Sequence, residues 1–288
     1  MHNETVTLRE ALTSAAAQLS AHEELRANAA KDAEVLLLHT LEAPRTLLFT
    51  APDRILTGAE LTAFDALIAR RLGYEPIQYI TGQQEFYGLM LRVAPAVLIP
   101  RPETEVLVEA ALVRLPQDKP LRIADVGTGS GAIAVAIAHH LPLAQVTALD
   151  LSSAALGIAG ENAATHHLGD RIRFVESDLL AAFTTEAPLD AILSNPPYVP
   201  IVERESLHPQ VRDHEPASAL FAGADGLDIY RRLIPQAFAM LKPGGLLALE
   251  IGYGQRDAVA ELLKGWDSVD FVNDLQRIPR VAFGWKPA

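Results

Sequence analysis

The chain has 288 residues, of which 49% are hydrophobic and 21% are charged, a balance typical of a globular protein rather than a disordered one. It contains no cysteine, which excludes disulfide bonds, thiolate metal sites and a cysteine nucleophile, and fits a reducing compartment. The formal net charge of −12 disfavours, without excluding, a protein that binds the phosphates of duplex DNA.

The first ten residues are mostly polar and acidic, whereas a signal peptide needs a basic start and an apolar run. No window of the sequence approaches the run of about 18 apolar residues that indicates a membrane span. We therefore expect a cytoplasmic protein.

Residues 1–80 carry apolar side chains at helical spacing and predict a small helical bundle. Capping boxes of the form Thr-x-x-Glu begin at Thr7 and Thr57 and mark two helix starts. An apolar stripe over residues 35–41 predicts a third helix between them. Nothing in this stretch indicates catalysis, so two roles remain open: docking of a substrate, or a structural cap on the main domain.

Residues 81–100 are predicted to be a hairpin linker between two domains. Side chains alternate over residues 85–93 around Gly88, as expected for a hairpin. Pro100 and Pro102 then precede an apolar helical pattern, which marks a boundary. The second domain is therefore expected to span residues 101–288.

From residue 120 onward strands and helices alternate, which predicts an α/β fold with a mostly parallel sheet covered on both faces. The segment 199–227 shows no period and is predicted to be a long loop, and residues 242–245 are predicted to form a tight turn. The predicted strands are 121–126, 145–149, 172–176, 189–193 and 246–251, followed by a C-terminal antiparallel hairpin at 269–272 and 281–285.

A glycine-rich turn follows the first of these strands. Glycines let the backbone approach a ligand closely, and the N-terminus of the next helix adds a favourable dipole. Asp150 ends the following strand, at about the 20-residue spacing expected for an acid that accepts hydrogen bonds from ribose hydroxyls. The pattern predicts a nucleoside-containing cofactor, and at this point NAD and S-adenosylmethionine both remain possible. The turn consists of Gly127, Thr128, Gly129, Ser130 and Gly131.

One further residue favours S-adenosylmethionine, and two more suit an adenine group. Asp125, in the strand before the turn, is placed to meet an amino-acid group, which S-adenosylmethionine has and NAD lacks. Asp178 follows the third strand, where an adenine amino group is expected, and Leu179 beside it offers an apolar wall. For both acids the alternative is an exposed carboxylate or a helix cap.

The fourth strand ends at Asn195-Pro196-Pro197-Tyr198. Neither proline has an N–H for the sheet, and each restricts the residue before it, so the corner is stiff. The corner offers the Asn195 side-chain oxygen and nearby main-chain carbonyls as acceptors, with the flat face of Tyr198 beside them. This combination suits a planar –NH2 group, and the alternative is a rigid turn that only ends the strand.

In combination, the glycine turn, Asp150 and the Asn-Pro-Pro-Tyr corner resemble class I S-adenosylmethionine-dependent methyltransferases that modify amino groups. Further blocks of sequence resemble the peptide chain release factor glutamine methyltransferase family, over nearly the whole chain. These blocks are residues 75–82, 85–86, 215–216, 219–220 and 98–105, the last containing Ile-Pro-Arg-Pro-Glu-Thr-Glu.

The resemblance implies a Rossmann-like sheet with an N-terminal helical bundle that docks the substrate. It implies transfer of a methyl group from S-adenosylmethionine to the side-chain amide of the glutamine in the Gly-Gly-Gln loop of release factors. Leu179 departs from the type of residue suited to this place, because an aromatic side chain would stack on adenine and a leucine can only pack against it. The implied cofactor-binding residues are Asp125, Gly127, Thr128, Gly129, Ser130, Gly131, Asp150, Asp178, Leu179 and Asn195. The implied catalytic residues are Asn195 and Pro196, and the substrate is held by these with Pro197, Tyr198 and Phe86.

Two other functions stay open on the sequence. One is an amino methyltransferase acting on adenine or cytosine in nucleic acid. The loop of residues 199–225 carries five acidic and two basic residues, which favours a protein substrate over a phosphate backbone. The other is a nicotinamide-dependent oxidoreductase or a non-catalytic nucleotide binder. No metal site is predicted. His22 and His39 have no partner at metal-ligand spacing, and His208 and His214 in the long loop are not expected to bind a metal or to act as a base.

Overall fold

The computed structural model describes residues 5–183 and 188–288. These residues divide into two units: one runs to Gly82 and includes His208–His214, and the other comprises Gln83–Leu207 and Glu215–Ala288. The hairpin that the sequence suggested as a linker lies within the second unit. Among the described residues, every helix is too short or too polar to cross a membrane.

The helices agree with the longer predicted ones, and the shorter ones are additional. In chain order they are α1 (Leu8–Ser20), α2 (Glu23–Arg26), α3 (Ala29–Thr40), α4 (Leu47–Thr50), α5 (Gly58–Leu72), α6 (Ile77–Thr81), α7 (Pro102–Arg114), α8 (Ala132–His140), α9 (Ser153–Thr165), α10 (Pro209–His214), α11 (Asp228–Met240) and α12 (Arg256–Leu262).

The strands are β1 (Gln83–Phe86), β2 (Leu89–Arg92), β3 (Leu121–Val126), β4 (Ala144–Asp150), β5 (Ile172–Glu176), β6 (Leu189–Ser194), β7 (Leu241–Glu250), β8 (Asp267–Asn273) and β9 (Pro279–Trp285). In the described part of the chain β1 and β2 form a hairpin, and the other seven strands form one sheet in the order β5-β4-β3-β6-β7-β9-β8. Strands β3 to β7 pair in parallel, and β9 pairs antiparallel to both β7 and β8. This is the predicted sheet, including its C-terminal antiparallel hairpin.

The helical unit is built around capped amphipathic helices. Both predicted capping boxes are present: the side chains of Thr7 and Thr57 accept from the backbone three residues on, and a glutamate closes each box. Because the apolar stripes of α1, α3 and α5 face one another, their side chains form one buried cluster that includes Leu19, Leu36 and Phe64. The predicted bundle is confirmed.

Helix α10 packs with this helical unit, although it lies far along the chain. The buried Arg71 guanidinium donates to Asp32 Oδ2 at 2.8 Å and to Gln210 Oε1 at 2.9 Å. The ring nitrogen Nε2 of His214 lies 2.9 Å from the Gly73 carbonyl. The segment that the sequence suggested as a structureless loop therefore contributes a helix to the helical unit.

Two local predictions are wrong. The long loop contains 3-10 helices at Ile201–Ser206 and Ala217–Ala219 in addition to α10. Residues 242–245 are an irregularity within β7, in which Leu241 pairs with Leu189 and Leu246 pairs with Ala191. Segments this short carry no full hydrophobic period, so the sequence pattern does not distinguish them from loops.

The sheet places the site where chain order reverses. β3 lies between β4 and β6, so the connections leave it toward opposite sides. In open α/β sheets, ligands bind beyond the carboxyl ends of the strands at this switch point. The glycine turn follows β3, Asp150 ends β4, and the Asn-Pro-Pro-Tyr corner follows β6.

Candidate active site

The glycine turn is held open by its own backbone and by the end of β4. Gly127 and Gly129 have φ of +71° and +55°, a region that favours glycine. The Gly127 N–H donates to the Leu149 carbonyl at 2.8 Å, and the Gly129 N–H donates to Asp150 Oδ2 at 2.9 Å. Asp150 thus supports the turn as well as standing beside it.

Asp125 lies behind the turn and not at the surface of the site. Its Oδ2 accepts from the Thr128 hydroxyl at 2.6 Å and from the Ala134 N–H at 3.0 Å, so it ties the turn to the start of α8. Its Oδ1 is buried without a hydrogen-bond partner among the described residues. Complete burial raises the pKa of Asp125 to about 7. Contact between Asp125 and a cofactor stays a prediction.

A cavity of about 530 Å³ opens beside the turn, within the second unit. Most of the predicted site residues line it, although they come from four separate strand ends. These lining residues are Gly127, Thr128, Gly129, Ser130, Asp150, Asp178, Leu179, Asn195, Pro196 and Pro197.

One end of the cavity is formed by the segment after β5. Asp178 Oδ2 accepts from the Arg232 guanidinium of α11 at 2.6 Å. Leu179 has φ of +54°, which is rare for a residue with a bulky side chain. Such a conformation is retained where surrounding structure enforces it, commonly at ligand sites. The apolar wall expected from the sequence is present at this place.

The Asn-Pro-Pro-Tyr corner is connected to a buried hydrogen-bond chain. Asn195 Nδ2 donates to Thr104 Oγ1 at 2.9 Å, and the Thr104 hydroxyl donates to Glu250 Oε2 at 2.6 Å. The Tyr198 hydroxyl donates to Glu250 Oε1 at 3.3 Å. Glu250 lies at the end of β7 and is fully buried, and this burial raises the pKa of Glu250 to about 7. Burial of the Tyr198 hydroxyl, with Glu250 beside it, also raises the pKa of Tyr198.

Four predicted site residues do not line the cavity. Asp125 is one, for the reason given above. Gly131, the N-cap of α8, is another and packs against α9. Phe86 is 1% exposed and lies in the main apolar core, because β1 turns that side chain inward. The ring of Tyr198 packs beside Gly252, and its hydroxyl is directed to Glu250. The geometry gives Tyr198 a supporting contact with the corner, and stacking on a substrate stays a prediction.

Sequence reasoning missed Arg101, Thr104, Glu215 and Glu250 as site residues. Glu215 is buried, accepts from the Ile99 N–H at 3.2 Å and from the Arg101 guanidinium at 2.5 Å, and so fastens the residues after α10 to the wall of the cavity. Arg101 and Thr104 line the cavity. Arg101, Thr104 and Glu215 lie in the sequence blocks that carry the family resemblance, and this is the signal that could have identified them.

The acidic character assigned to the loop after the corner needs correction. Glu215 was counted among its five acidic residues, but its side chain is 0% exposed and paired with Arg101. Residues 208–214 belong with the helical unit. The charge of that loop therefore does not decide between a protein and a nucleic-acid substrate.

The residues present fit S-adenosylmethionine. The cavity falls within the size range of small-ligand sites, its turn carries no side chain that would fill it at Gly127 or Gly129, and a carboxylate stands at the end of β4. Leu179 supplies an apolar wall and Asp178 an acceptor at the opposite end. The unpartnered Oδ1 of Asp125 is a further buried acceptor near the turn.

Comparison with known proteins agrees with this site. Residues 103–209 match the family described as "Methyltransferase small domain", and residues 10–82 match "PrmC N-terminal domain". The hMettl16 catalytic domain, solved with a MAT2A 3'UTR hairpin, is 18% identical, with 81% of this chain and 83% of that chain covered at a TM-score of 0.56. A 16S rRNA methyltransferase of T. Thermophilus, solved with AdoMet and guanosine, is 21% identical, covering 71% and 49% of the two chains at a TM-score of 0.52.

The fold and the site together define an S-adenosylmethionine-dependent methyltransferase. "Release factor glutamine methyltransferase" of Koribacter versatilis (strain Ellin345) is 47% identical over 98% of this chain and 99% of that protein. The protein of the same name from Moorella thermoacetica (strain ATCC 39073 / JCM 9320) is 46% identical over 90% of each chain. The chain belongs to the release factor glutamine methyltransferase family, as its sequence motifs suggested.

Proposed function

We propose that this protein transfers a methyl group from S-adenosylmethionine to the side-chain amide nitrogen of the glutamine in the Gly-Gly-Gln loop of peptide chain release factors. The observation that carries the proposal is the Asn195 carboxamide, whose amino group is bound by Thr104, so that its oxygen remains available at the wall of the cavity. The names of relatives up to 47% identical support the same substrate.

The cavity residues divide between cofactor and substrate. The glycine turn and Asp150 hold the sugar and amino-acid parts of the cofactor, and Asp178 and Leu179 flank its adenine. When bound, S-adenosylmethionine supplies an electrophilic methyl group on a positively charged sulfur. The Asn-Pro-Pro segment holds the glutamine amide beside that methyl group.

An amide nitrogen is a poor nucleophile, because its lone pair is delocalised into the carbonyl. Asn195 Oδ1 and the Pro196 carbonyl accept hydrogen bonds from the two N–H groups of the substrate amide and fix its position. These bonds strengthen as positive charge develops on the nitrogen, so they stabilise the transition state more than the bound substrate. Positioning of this kind supplies on the order of 7 kcal/mol in well-oriented reactions.

The reaction needs no base before transfer. The cofactor would supply the methyl group, exchanging its C–S bond for the new N–C bond, and the substrate nitrogen becomes acidic only after it has gained that group. One N–H proton then leaves to water. The absence of a histidine from the proposed roles is consistent with this order of events.

The helical unit is proposed to dock the release factor, supported by the match of residues 10–82 to the "PrmC N-terminal domain" family. Because release factors act in translation, we infer that the protein works in the cytoplasm. We also infer that it binds no nucleic acid directly.

The direct test is transfer of radiolabel from S-adenosylmethionine to purified release factor, with a release factor whose Gly-Gly-Gln glutamine is replaced by alanine as the control. Duplex DNA and ribosomal RNA serve as competing acceptors in separate reactions. We expect label in the unaltered release factor alone. Label in nucleic acid with none in release factor would establish the alternative function and overturn this one.

A further inference from the structure

The oxygen and nitrogen ends of the Asn195 carboxamide are similar in shape, but the oxygen accepts hydrogen bonds and the nitrogen donates them. If its oxygen faces the substrate it accepts from an –NH2 group, and if its nitrogen faces the substrate it donates to a carbonyl or carboxylate. The stiff corner fixes the backbone but not this choice, because rotation of the carboxamide by half a turn exchanges the two ends. Some other group must determine the orientation.

Glu250 is placed to determine the orientation of the Asn195 carboxamide through Thr104. Its Oε2 accepts the Thr104 hydroxyl proton at 2.6 Å. A hydroxyl has one proton to donate, so Thr104 Oγ1 is left with lone pairs toward Asn195. Only the Nδ2 end of Asn195 can satisfy them, and it does so at 2.9 Å.

The arrangement is buried and well supported. Thr104 is 4% exposed and Glu250 is 1% exposed, so water does not compete for these bonds. The second oxygen of Glu250 accepts from Tyr198, and the Glu250 backbone carbonyl accepts from the Tyr230 hydroxyl at 2.9 Å. The Thr104 and Tyr198 hydroxyls thereby hold the carboxyl group of Glu250 in one position, and Tyr230 holds its backbone.

We propose that Glu250 and Thr104 are positioning residues that set the orientation of the Asn195 carboxamide and so make the site selective for a substrate that donates an –NH2 group. The inference rests on the proposed function and deepens it. Glu250 does not line the cavity, and Thr104 lines it and acts through its bond to Asn195. While these hydrogen bonds are intact, the Asn195 oxygen accepts from the –NH2 group of a glutamine. A glutamate in its place would set a carboxylate oxygen, also an acceptor, against the Asn195 oxygen.

Thr104→Val keeps the shape of the side chain and removes the hydroxyl, and Glu250→Leu removes the acceptor. Both variants should lower kcat for release factor methylation by about 10- to 100-fold, while the Kd of S-adenosylmethionine, measured by calorimetry, changes less than threefold. Thr104→Ser restores the hydroxyl and should recover at least a third of the wild-type kcat. Thr165→Val, at an exposed threonine of α9, controls for the substitution itself.

The selectivity for glutamine over glutamate is a second measurement, and a loss of packing alone would not change it. A release factor with glutamate in place of the Gly-Gly-Gln glutamine is used as a competitive inhibitor. The ratio of its Ki to the Kd of the unaltered release factor should fall on the order of tenfold in Thr104→Val and Glu250→Leu, and stay near the wild-type ratio in Thr104→Ser. An unchanged ratio or an unchanged kcat in a variant that binds S-adenosylmethionine normally would overturn the proposal. Equal losses in Thr104→Ser and Thr104→Val would also do so.

A measurement on the unaltered enzyme is independent of activity. In protein labelled with ¹⁵N-asparagine, the Asn195 side-chain protons, assigned from their loss in Asn195→Ala, should show cross-peaks to the Thr104 side chain. Absence of those cross-peaks would overturn the proposed orientation. Failure of wild-type enzyme to methylate release factor would instead overturn the proposed function, and the cross-peaks would still decide the orientation.

Discussion

At residue scale, the proposed chemistry depends on a stiff corner that presents an acceptor. Two prolines restrict the backbone at the end of β6, and the Ser194 hydroxyl, fully buried, donates to the Val126 carbonyl at 2.6 Å. The last residue of β6 is thereby tied to the last residue of β3. Asn195 is half-buried at this junction, so its position relative to the glycine turn is determined by the sheet itself.

Replacement of Asn195 by alanine removes the side-chain acceptor and leaves the glycine turn intact. We expect Asn195→Ala to lower kcat by at least about 100-fold, the size of effect seen when one oriented polar group is removed from a transition state. The Kd of S-adenosylmethionine should change only a few-fold. Initial rates and calorimetry measure the two quantities, and Asn273→Ala, an exposed residue of β8, is the control. Near-normal turnover by Asn195→Ala would contradict the mechanism.

Asp150 is predicted to act on the cofactor instead. Its carboxylate accepts from the Gly129 and Ser152 N–H groups and retains lone pairs for ribose hydroxyls. Asp150→Ala should weaken S-adenosylmethionine binding by about tenfold or more, since it removes charge-assisted bonds from the ligand and from the turn. Calorimetry reports the change, with the exposed Asp170→Ala for comparison. An unchanged Kd would show that the ribose is held elsewhere.

Glu250 makes the stability of the second unit depend on pH. Burial raises the pKa of Glu250 to about 7, so the folded chain binds this proton more tightly than the unfolded chain. The contribution of Glu250 to stability is therefore full below about pH 4 and declines as pH rises toward 7. The groups that face this carboxyl are Glu103 and Thr104 of α7, Tyr198, Tyr230 of α11 and Arg280 of β9.

The difference in unfolding free energy between wild type and Glu250→Gln should accordingly fall by about 3 kcal/mol between pH 4 and pH 7. Both tryptophans, Trp266 and Trp285, lie in the second unit, so their fluorescence in urea reports on that unit. Glu261→Gln, at an exposed carboxylate, measures the effect of the substitution itself. A difference that rises with pH would mean that Glu250 is stabilised as a charge.

The residues proposed to carry the chemistry were predictable where a backbone feature marks them. Glycines before a helix and prolines after a strand restrict the chain in ways visible in the sequence, and Asp150 follows from its spacing. No backbone feature of this kind identifies Glu250 in the sequence. It looks like an acid that ends a strand, and its burial depends on Thr104, which is 146 residues away. Side-chain networks between distant segments are fixed by packing and leave no local pattern.

At the scale of elements, α3, α5 and α10 meet at a buried ion pair. The side chains of Asp32 and Arg71 are 9% and 5% exposed, and Arg71 also donates to the Glu75 carbonyl and to Gln210. The Nε and Nη1 groups of this guanidinium therefore join three segments. A buried pair of this kind costs desolvation, and removing one partner leaves the other charge unpaired.

Asp32→Ala should destabilise the helical unit by about 3 kcal/mol, because Arg71 remains buried without its carboxylate. Hydrogen exchange of the α3 and α5 amides measures the loss in that unit specifically. Asp53→Ala is the matched control, since Asp53 pairs with Arg9 on the surface, where both side chains are more than half exposed. Exposed pairs contribute about 0–1 kcal/mol. Equal effects of the two substitutions would contradict the structural role given to Arg71.

Element types followed from the sequence wherever a segment was long enough to show a period. The capping boxes located α1 and α5, and the alternation of strands with helices gave the parallel sheet. Helix α10 has six residues, too few for a period, and its place in the helical unit is decided by Arg71 and Gly73. Contacts of that kind are tertiary, so the sequence pattern of the segment itself does not contain them.

At the scale of the molecule, the chain combines a helical unit with a cofactor-binding unit, and the family relationship spans both. The relative from Koribacter versatilis (strain Ellin345) is covered over 99% of its length, so the helical unit belongs to the common architecture. All residues that line the cavity lie in the second unit. We therefore assign cofactor binding and transfer to that unit and propose substrate docking for the helical one.

The most direct test is a crystal structure of the enzyme with S-adenosylhomocysteine and a peptide that contains Gly-Gly-Gln. We predict that the glutamine amide nitrogen lies about 3 Å from both Asn195 Oδ1 and the Pro196 carbonyl, on the side of the cavity that faces the cofactor sulfur. A complex in which the Asn195 amino group faces the substrate, or in which the corner lies out of reach of the peptide, would contradict the account.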